Sequence, residues 1–450
     1  MELQSDLYLR PAELLQNLIR FDTTNPPGNE AECIAYVEAL LARAGFETKL
    51  LARDANRPNL VARLAGRGDA PPLLLQGHVD VVTTQHQEWQ HPPFGAELID
   101  GYVWGRGALD MKGGVAMMLA AAMRARAEGL DLPGDIVLAV LADEEAGGAY
   151  GAKFLVENHA NLFQGIRYAI GEMGGYSLFL GGRKFYPIMV AEKKVCWLKA
   201  TLCGPGGHGS IPTSGGSMAK LARMLDTLDK NRLPVKITPV VRQMVQAIAA
   251  ALPGPTASSL RALLDPATTD SALAELGPAG RIFHPIVRNT VNATIVRGGE
   301  KINVIPGEIV VQMDGRLLPG DTSDDMTAQL RALIGDEPEL ELIDYDPFNA
   351  EPDMGMFGTL SAILKETDPD AVPVPYLLSG FTDGRHFARL GIQTYGFLPM
   401  DLPEGFNSTQ TIHAADERIP AEAVQFGANA IYKLLQSHGP GLSRRSPTPP

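Results

Sequence analysis

Apolar residues along the chain fall into two arrangements. In the first part, short uninterrupted runs such as Leu73-Leu74-Leu75 and Ile136-Val137-Leu138-Ala139-Val140-Leu141 read as strands buried on both faces. Strands at about 47–53, 59–65, 72–77, 135–142 and 167–170 alternate with helices at about 29–44, 112–128 and 149–157. This alternation predicts an α/β fold with a mostly parallel sheet. From Val195 the pattern changes to apolar-polar alternation in Cys196-Trp197-Leu198-Lys199-Ala200-Thr201-Leu202. A helix at about 215–230, strands at about 289–297 and 307–317, a helix near 322–334 and the strand Glu339–Ile343 follow. These predict a split βαβ arrangement of α+β type, with one face on helices and an exposed sheet edge suited to pairing with a second copy. The Pro- and Ala-rich stretch 233–285 reads as a helical insertion.

The expected organisation is therefore discontinuous. A first domain over 1–191 and 350–436 encloses an inserted domain over 192–349, whose exposed sheet edge suits a lid or dimerisation role, and a Pro/Ser/Gly-rich tail at 437–450 reads as disordered.

Chemistry gathers where the buried strands end. The run Ile136–Leu141 leads into Ala142-Asp143-Glu144-Glu145-Ala146-Gly147-Gly148, where consecutive glutamates point in different directions, so one can bind a metal while the other handles protons. Leu73–Gln76 leads into Gly77-His78-Val79-Asp80, a spacing that leaves His78 and Asp80 on one face, with the carboxylate able to fix the imidazole tautomer. Asp110 lies in Gly105-Arg106-Gly107-Ala108-Leu109-Asp110-Met111-Lys112-Gly113-Gly114 at the entrance of a helix, where an aspartate is also an ordinary N-cap. Glu172 ends a short strand in Gly171-Glu172-Met173-Gly174-Gly175, and His413 precedes the last helix in Thr411-Ile412-His413-Ala414-Ala415-Asp416-Glu417. Two histidines, an aspartate and two glutamates suit zinc, cobalt or manganese rather than a thiolate cluster.

In order along the chain, GHVDVV, GRGALDMKGG, ADEEAGG, GEMGG, GPGGHGSIP, KINVIPGE and HAADERIP resemble the motifs of the M20 metallopeptidase family of carboxypeptidases, aminoacylases, dipeptidases and deacylases. The resemblance implies that His78 and Glu172 hold one divalent metal, Glu145 and His413 a second, and that Asp110 bridges the two. It makes Asp80 the residue that orients His78, and Glu144 the general base that activates a water shared by the metals. It also implies that His208 reaches into the active site of a partner subunit, and that Asn303 and Arg316 bind substrate. An arginine suits a carboxylate because its planar fork grips both oxygens. Two features depart from the family pattern. Asp416 stands where many relatives have Asn, and Leu378-Ser379-Gly380-Phe381-Thr382-Asp383-Gly384-Arg385 is an altered form of a glycine-rich Thr/Ser-Asp-Arg motif, so Asp383 and Arg385 are read only as supporting candidates.

Composition narrows the alternatives. With 450 residues, 45% of them hydrophobic, the chain can build more than one core. A formal net charge of -13 argues against nucleic acid or an anionic membrane as partner. Met1–Arg20 reads as an amphipathic helix and no apolar run is long enough to span a bilayer, which points to the cytoplasm. Cys33, Cys196 and Cys203 form neither a disulfide framework nor a metal-type pair. Neither glycine-rich segment has the spacing of a phosphate-binding loop. A dinuclear phosphoesterase is disfavoured by the shortage of cationic groups, and a non-catalytic metal-binding homologue by the presence of Glu144 with every ligand.

The expected activity is metal-dependent hydrolysis of the amide bond in small N-acyl amino acids or short peptides with a free carboxylate, by a homodimer. The alternative within the family is a dipeptidase or aminopeptidase type. Glu172, rather than Asp, resembles the carboxypeptidase and deacylase members.

Overall fold

The computed structural model describes residues 6–346, 351–406 and 408–439. Two compact units emerge, one formed by Met1–Val190, Pro352–Tyr376 and Thr382–Pro450, the other by Ala191–Glu351 and Leu377–Phe381.

The first unit is built on a nine-stranded sheet. From one edge its order is Glu47–Ala52, Pro58–Leu64, Ile136–Leu141, Leu73–His78, Tyr168–Gly171, Gln393–Gly396, Arg183–Glu192 and Val372–Leu378, with Leu178–Leu180 paired to Arg183–Glu192. The four strands from Ile136–Leu141 to Gln393–Gly396 run parallel, and antiparallel pairs flank them. Every residue of Leu73–His78 and Ile136–Leu141 is buried, which is why Leu73–Leu75 and Ile136–Leu141 are apolar on both sides of the pleat. On one face Val61, Leu74, Val137, Leu155, Phe163 and Phe387 pack into a single cluster. The helix Lys112–Ala127 is buried nearly all round. Its small residues permit close approach: a side chain at Gly113 would collide with the carbonyl of Ala108. The last helix, Ala421–Ser437, packs on it through Gly427 against Met117. Ser437 thus closes a helix, while the tail expected to be disordered lies, from residue 440 on, outside the described residues.

Four antiparallel strands make the second unit's sheet, ordered Thr290–Arg297, Glu308–Leu317, Lys194–Cys203 and Glu339–Tyr345. In Glu308–Leu317 alternate residues are buried, the period of a sheet with one covered face. Helices Ser217–Lys230 and Ser323–Ile334 supply that cover, with Leu198, Leu202, Met224, Val311, Met326 and Leu330 forming the core. The second helix begins in a reciprocal cap between Thr322 and Asp325. Between this unit's first helix and the strand Thr290–Arg297, three helices occupy Pro239–Ala251, Gly254–Ala262 and Thr269–Leu276. A two-stranded ribbon pairs Gly207–His208 with Val304–Ile305.

Candidate metal centre

Parallel strands direct their C-terminal ends to one edge of the sheet, and the turns there carry polar side chains without breaking strand pairing. His78 is the last residue of its strand, Glu172 follows Tyr168–Gly171, and Glu144 and Glu145 lie in a tight turn three residues beyond Leu141. Asp110 precedes the helix Lys112–Ala127 but does not cap it. Its carboxylate instead faces two histidines.

Nε2 of His78 lies 3.2 Å from Oδ1 of Asp110 and 3.8 Å from Oε2 of Glu172. Nε2 of His413 lies 3.2 Å from Oδ2 of Asp110 and 3.2 Å from Oε2 of Glu145. Two groups able to hold an ion result, His78–Asp110–Glu172 and Asp110–Glu145–His413, each with ligand atoms within 4.8 Å of one another and with Asp110 in both. Glu144 belongs to neither group, and its Oε2 lies 3.9 Å from Nε2 of His78.

Electrostatics describe the same place as a trap for cations. Burial pushes Glu172 up to about 7, aided by the charge of Asp110 and opposed by His78. Glu144 is raised well above the usual carboxylate range, by burial first and then by the charge of Glu172. Hydrogen bonds to Asp110 and Glu145 push His413 up to about 10. In the chain alone, protons must therefore crowd between these carboxylates and imidazoles. Divalent ions would occupy the same positions while leaving the histidines neutral. Glu145 Oε1 is buried without a hydrogen-bond partner, as an oxygen awaiting a metal would be. The donor set and its geometry fit two divalent ions.

Supporting contacts hold four of the candidate ligands, His78, Asp110, Glu145 and His413. Nδ1 of His78 lies 3.0 Å from the main-chain oxygen of Asp80 and 3.5 Å from its Oδ1. The carboxylate of Asp80 accepts the N–H of Glu144 at 3.1 Å and of Glu145 at 3.2 Å, so it holds their turn as well as facing His78. Buried Glu417 accepts the N–H of Leu109 and of Asp110 together with the guanidinium of Arg106. His413 and Asp416 both adopt left-handed backbone angles, φ 64° and 61°. Their loop is pinned by Gln87, whose amide donates to the oxygen of His413 at 2.9 Å, and by Gln90, whose N–H and amide each donate to Asp416 at 2.8 Å. Arg385 donates to the carbonyl of Gly147 at 3.1 Å. Burial pushes Asp383 up to about 8, with Asp80 and Glu172 adding to the effect against the charge of His78. Gln87, Gln90, Arg106 and Glu417 are supports that reading the sequence does not assign. For Arg106 and Glu417 a signal was present, since each lies inside a motif already singled out.

The remaining candidates belong to the second unit. His208 is exposed on the ribbon, its Nδ1 2.7 Å from Oγ of Ser210. Asn303 lies in the ribbon's turn, where its carbonyl accepts the N–H of Gly209 at 2.8 Å. Arg316 grips Asp314 through Nε at 2.7 Å and Nη2 at 3.1 Å, and stacks 4.7 Å from the ring of Phe381. Its Nη1 is buried and has no hydrogen-bond partner.

Among the described residues no helix is long and apolar enough to cross a membrane. The model of peptidase family M20/M25/M40 matches residues 74–437. An N-fatty-acyl-amino acid synthase/hydrolase of Xenopus tropicalis is 28% identical over 376 residues, covering 81% of this chain and 72% of its own length. Aminoacylase-1 of Sus scrofa is 26% identical over 447 residues, 94% of each chain. The fold resembles that of a metallo-carboxypeptidase from Sulfolobus solfataricus with a TM-score of 0.70, at 17% identity, covering 96% of this chain and 99% of that one.

Proposed function

Because the chain belongs to peptidase family M20/M25/M40, and is thereby a hydrolase of amide or peptide bonds, we propose that it cleaves small N-acyl amino acids or short peptides bearing a free carboxylate. The observation that carries this reading is the pair of three-residue groups sharing Asp110, with Glu144 beside them and a member of neither.

In this reading His78 and Glu172 would hold one divalent ion, zinc by preference, Glu145 and His413 would hold another, and Asp110 would be available to both. Such ions, when bound, supply Lewis acidity that lets water ionise near neutral pH and polarises an amide carbonyl. Glu144 accepts the proton of the water that attacks the carbonyl carbon and returns it to the nitrogen as the C–N bond breaks, so its carboxylate is regenerated in each turnover. Asp80 keeps Glu144 in reach by binding its N–H. The N-acyl amino acid class is favoured by Arg316, whose buried, unpartnered Nη1 suits a substrate carboxylate, and by the relatives that act on acylated amino acids. Asn303 is the second group assigned to substrate. His208 is proposed to stabilise the oxyanion of the tetrahedral intermediate from the partner of a homodimer, which its exposed place on a ribbon permits.

Metal-loaded protein should release amine from some member of a panel of N-acyl amino acids, dipeptides and acylated diamino acids. Elemental analysis should find up to two zinc-like ions per chain, and a chelator should abolish turnover without unfolding the sheet core. Full activity without a transition metal would end this reading.

A further inference from the structure

A buried polar chain runs from the first loop to the turn that carries Glu144 and Glu145. The amide nitrogen of Asn25 donates to Oδ2 of Asp80 at 2.8 Å and to Oδ1 of Asp143 at 3.1 Å. Asp80 accepts the N–H groups of Glu144 and Glu145. Asp143 accepts the N–H of Tyr150 at 2.9 Å and Nη1 of Arg57 at 2.9 Å. Arg57 is clamped from its other side by Glu30, through Nη2 at 2.7 Å and Nε at 3.2 Å, and lies 4.9 Å from the ring centre of Tyr150. Exposure is 0% for Glu30 and Asp80, 2% for Asp143, 5% for Asn25 and 7% for Arg57, so water cannot replace any of these bonds.

We propose that Asn25 is a positioning residue for the general base, acting through Asp80 and Asp143 with Arg57 and Glu30 as its abutment; this rests on the assignment of Glu144 as base. One carboxylate, Asp143, opens the turn and the other, Asp80, binds its N–H groups, and the guanidinium of Arg57 hydrogen-bonds only the first of them. An amide is the smallest uncharged group whose two N–H bonds can satisfy both, and only its nitrogen can face two carboxylates. The turn needs such restraint because Asp143 itself sits at φ 69°, a left-handed conformation that an aspartate adopts at a cost. Without the amide, Asp80 and Asp143 lose their common donor and the Glu144 turn is free to shift. A displacement of about 1 Å at a reacting group costs on the order of 10²-fold in rate.

The test is a double-mutant cycle of Asn25→Leu with Glu144→Gln in full-length, metal-loaded protein, with kcat, KM, metal content and thermal unfolding measured on each variant. Asn25→Leu should lower kcat by about 10–100-fold with KM changed less than about threefold and metal content kept. In the Glu144→Gln background the same substitution should change kcat by less than about threefold, because its effect passes through Glu144. Equal factors in both backgrounds, normal kcat in Asn25→Leu, or activity restored by added metal would each overturn the proposal. Near-normal turnover of Glu144→Gln alone would instead remove the base assignment, a result separable from these. Should Asn25→Leu fail to fold, Arg57→Lys takes its place and must show the same kcat-only, non-additive pattern. Failure of both to fold would make the chain a stability element and overturn the proposal.

Discussion

Replacing Glu417 by glutamine perturbs Asp110, the aspartate shared by the two candidate ligand groups, from behind. Glu417 is fully buried and accepts Nη1 of Arg106 at 2.6 Å and the N–H groups of Gly107 at 3.1 Å, Leu109 at 2.7 Å and Asp110 at 3.1 Å. Burial lifts its carboxyl above the ordinary range, while Arg106 and these N–H groups draw it back. Glutamine keeps the shape, but its amide nitrogen meets donors whichever way it turns, so either Arg106 and Gly107 or Leu109 and Asp110 lose their acceptor. Breaking a buried pair from one side costs about 3–5 kcal/mol, since a charge remains without its partner. Arg106 retains Oε1 of Gln87 at 2.9 Å and lies 5.2 Å from the ring centre of Trp89, which places the expected loss near the lower end, about 3 kcal/mol. Because the turn before Asp110 loosens, zinc affinity should fall by about 10–100-fold, the effect usual for a group that orients a ligand. Urea unfolding of metal-free protein, read by tryptophan fluorescence with Trp89 reporting beside Arg106, measures the first quantity, and competition with a chelator the second. The double variant Arg106→Leu with Glu417→Met should recover only the part of the stability lost to the unpaired charge, and no zinc affinity, because the N–H groups of Gly107, Leu109 and Asp110 still lack an acceptor. A stability change under about 0.5 kcal/mol together with unchanged zinc affinity would refute the reasoning.

Glu144→Gln should keep its metal and lose about 10²–10⁴ in kcat, whereas Glu145→Gln should also lose or weaken one metal; retained turnover in the first, or retained metal in the second, would reverse the division between base and ligand. His208→Ala should lower kcat by about 10²–10³ with little change in metal content, and mixed dimers with Glu144→Gln chains should regain activity by forming one intact composite site; heterodimers that stay inactive would place His208 outside the chemistry. His386 supplies a pH effect: burial, then the charge of Arg385, holds its imidazole down at about 3. Since the unfolded value is about 6.5, the unfolded chain binds the extra proton, so stability present above pH 6.5 is lost as pH falls toward the folded value, by up to about 1.4 kcal/mol per unit. Metal-free protein should therefore lose stability between about pH 6 and 4 more steeply than its His386→Gln variant, and equal slopes would contradict the assignment.

Strand and helix type were legible in sequence wherever burial alone dictates composition. Leu73–Leu75 and Ile136–Leu141 are wholly buried and wholly apolar, and Glu308–Leu317 alternates because only one face is covered. The strands Arg183–Glu192 and Val372–Leu378 were not legible, since prolines at 187, 373 and 375 speak against a central strand. Val372–Leu378 is at the edge of the sheet, where a missing N–H is tolerated, and Gln393–Gly396 is only four residues long, so its place in the parallel centre is set by its neighbours.

Candidate ligands could likewise be named from residue types at strand ends, because metal chemistry restricts which side chains suffice and buried strands restrict where they can stand. Geometry decided the rest. Asp110 sits where sequence allows an ordinary helix cap, and only the fold turns its two oxygens toward His78 and His413. Asp80, legible as a partner of His78, also binds the N–H groups of Glu144 and Glu145, a role invisible along the chain because main-chain donors carry no residue identity. Asn25, Arg57 and Glu417 likewise act through hydrogen bonds to groups distant in sequence. Local pattern fixes which face of an element is apolar, whereas the partner of a buried polar group is fixed only when the sheet brings separate turns to within about 3 Å of one another.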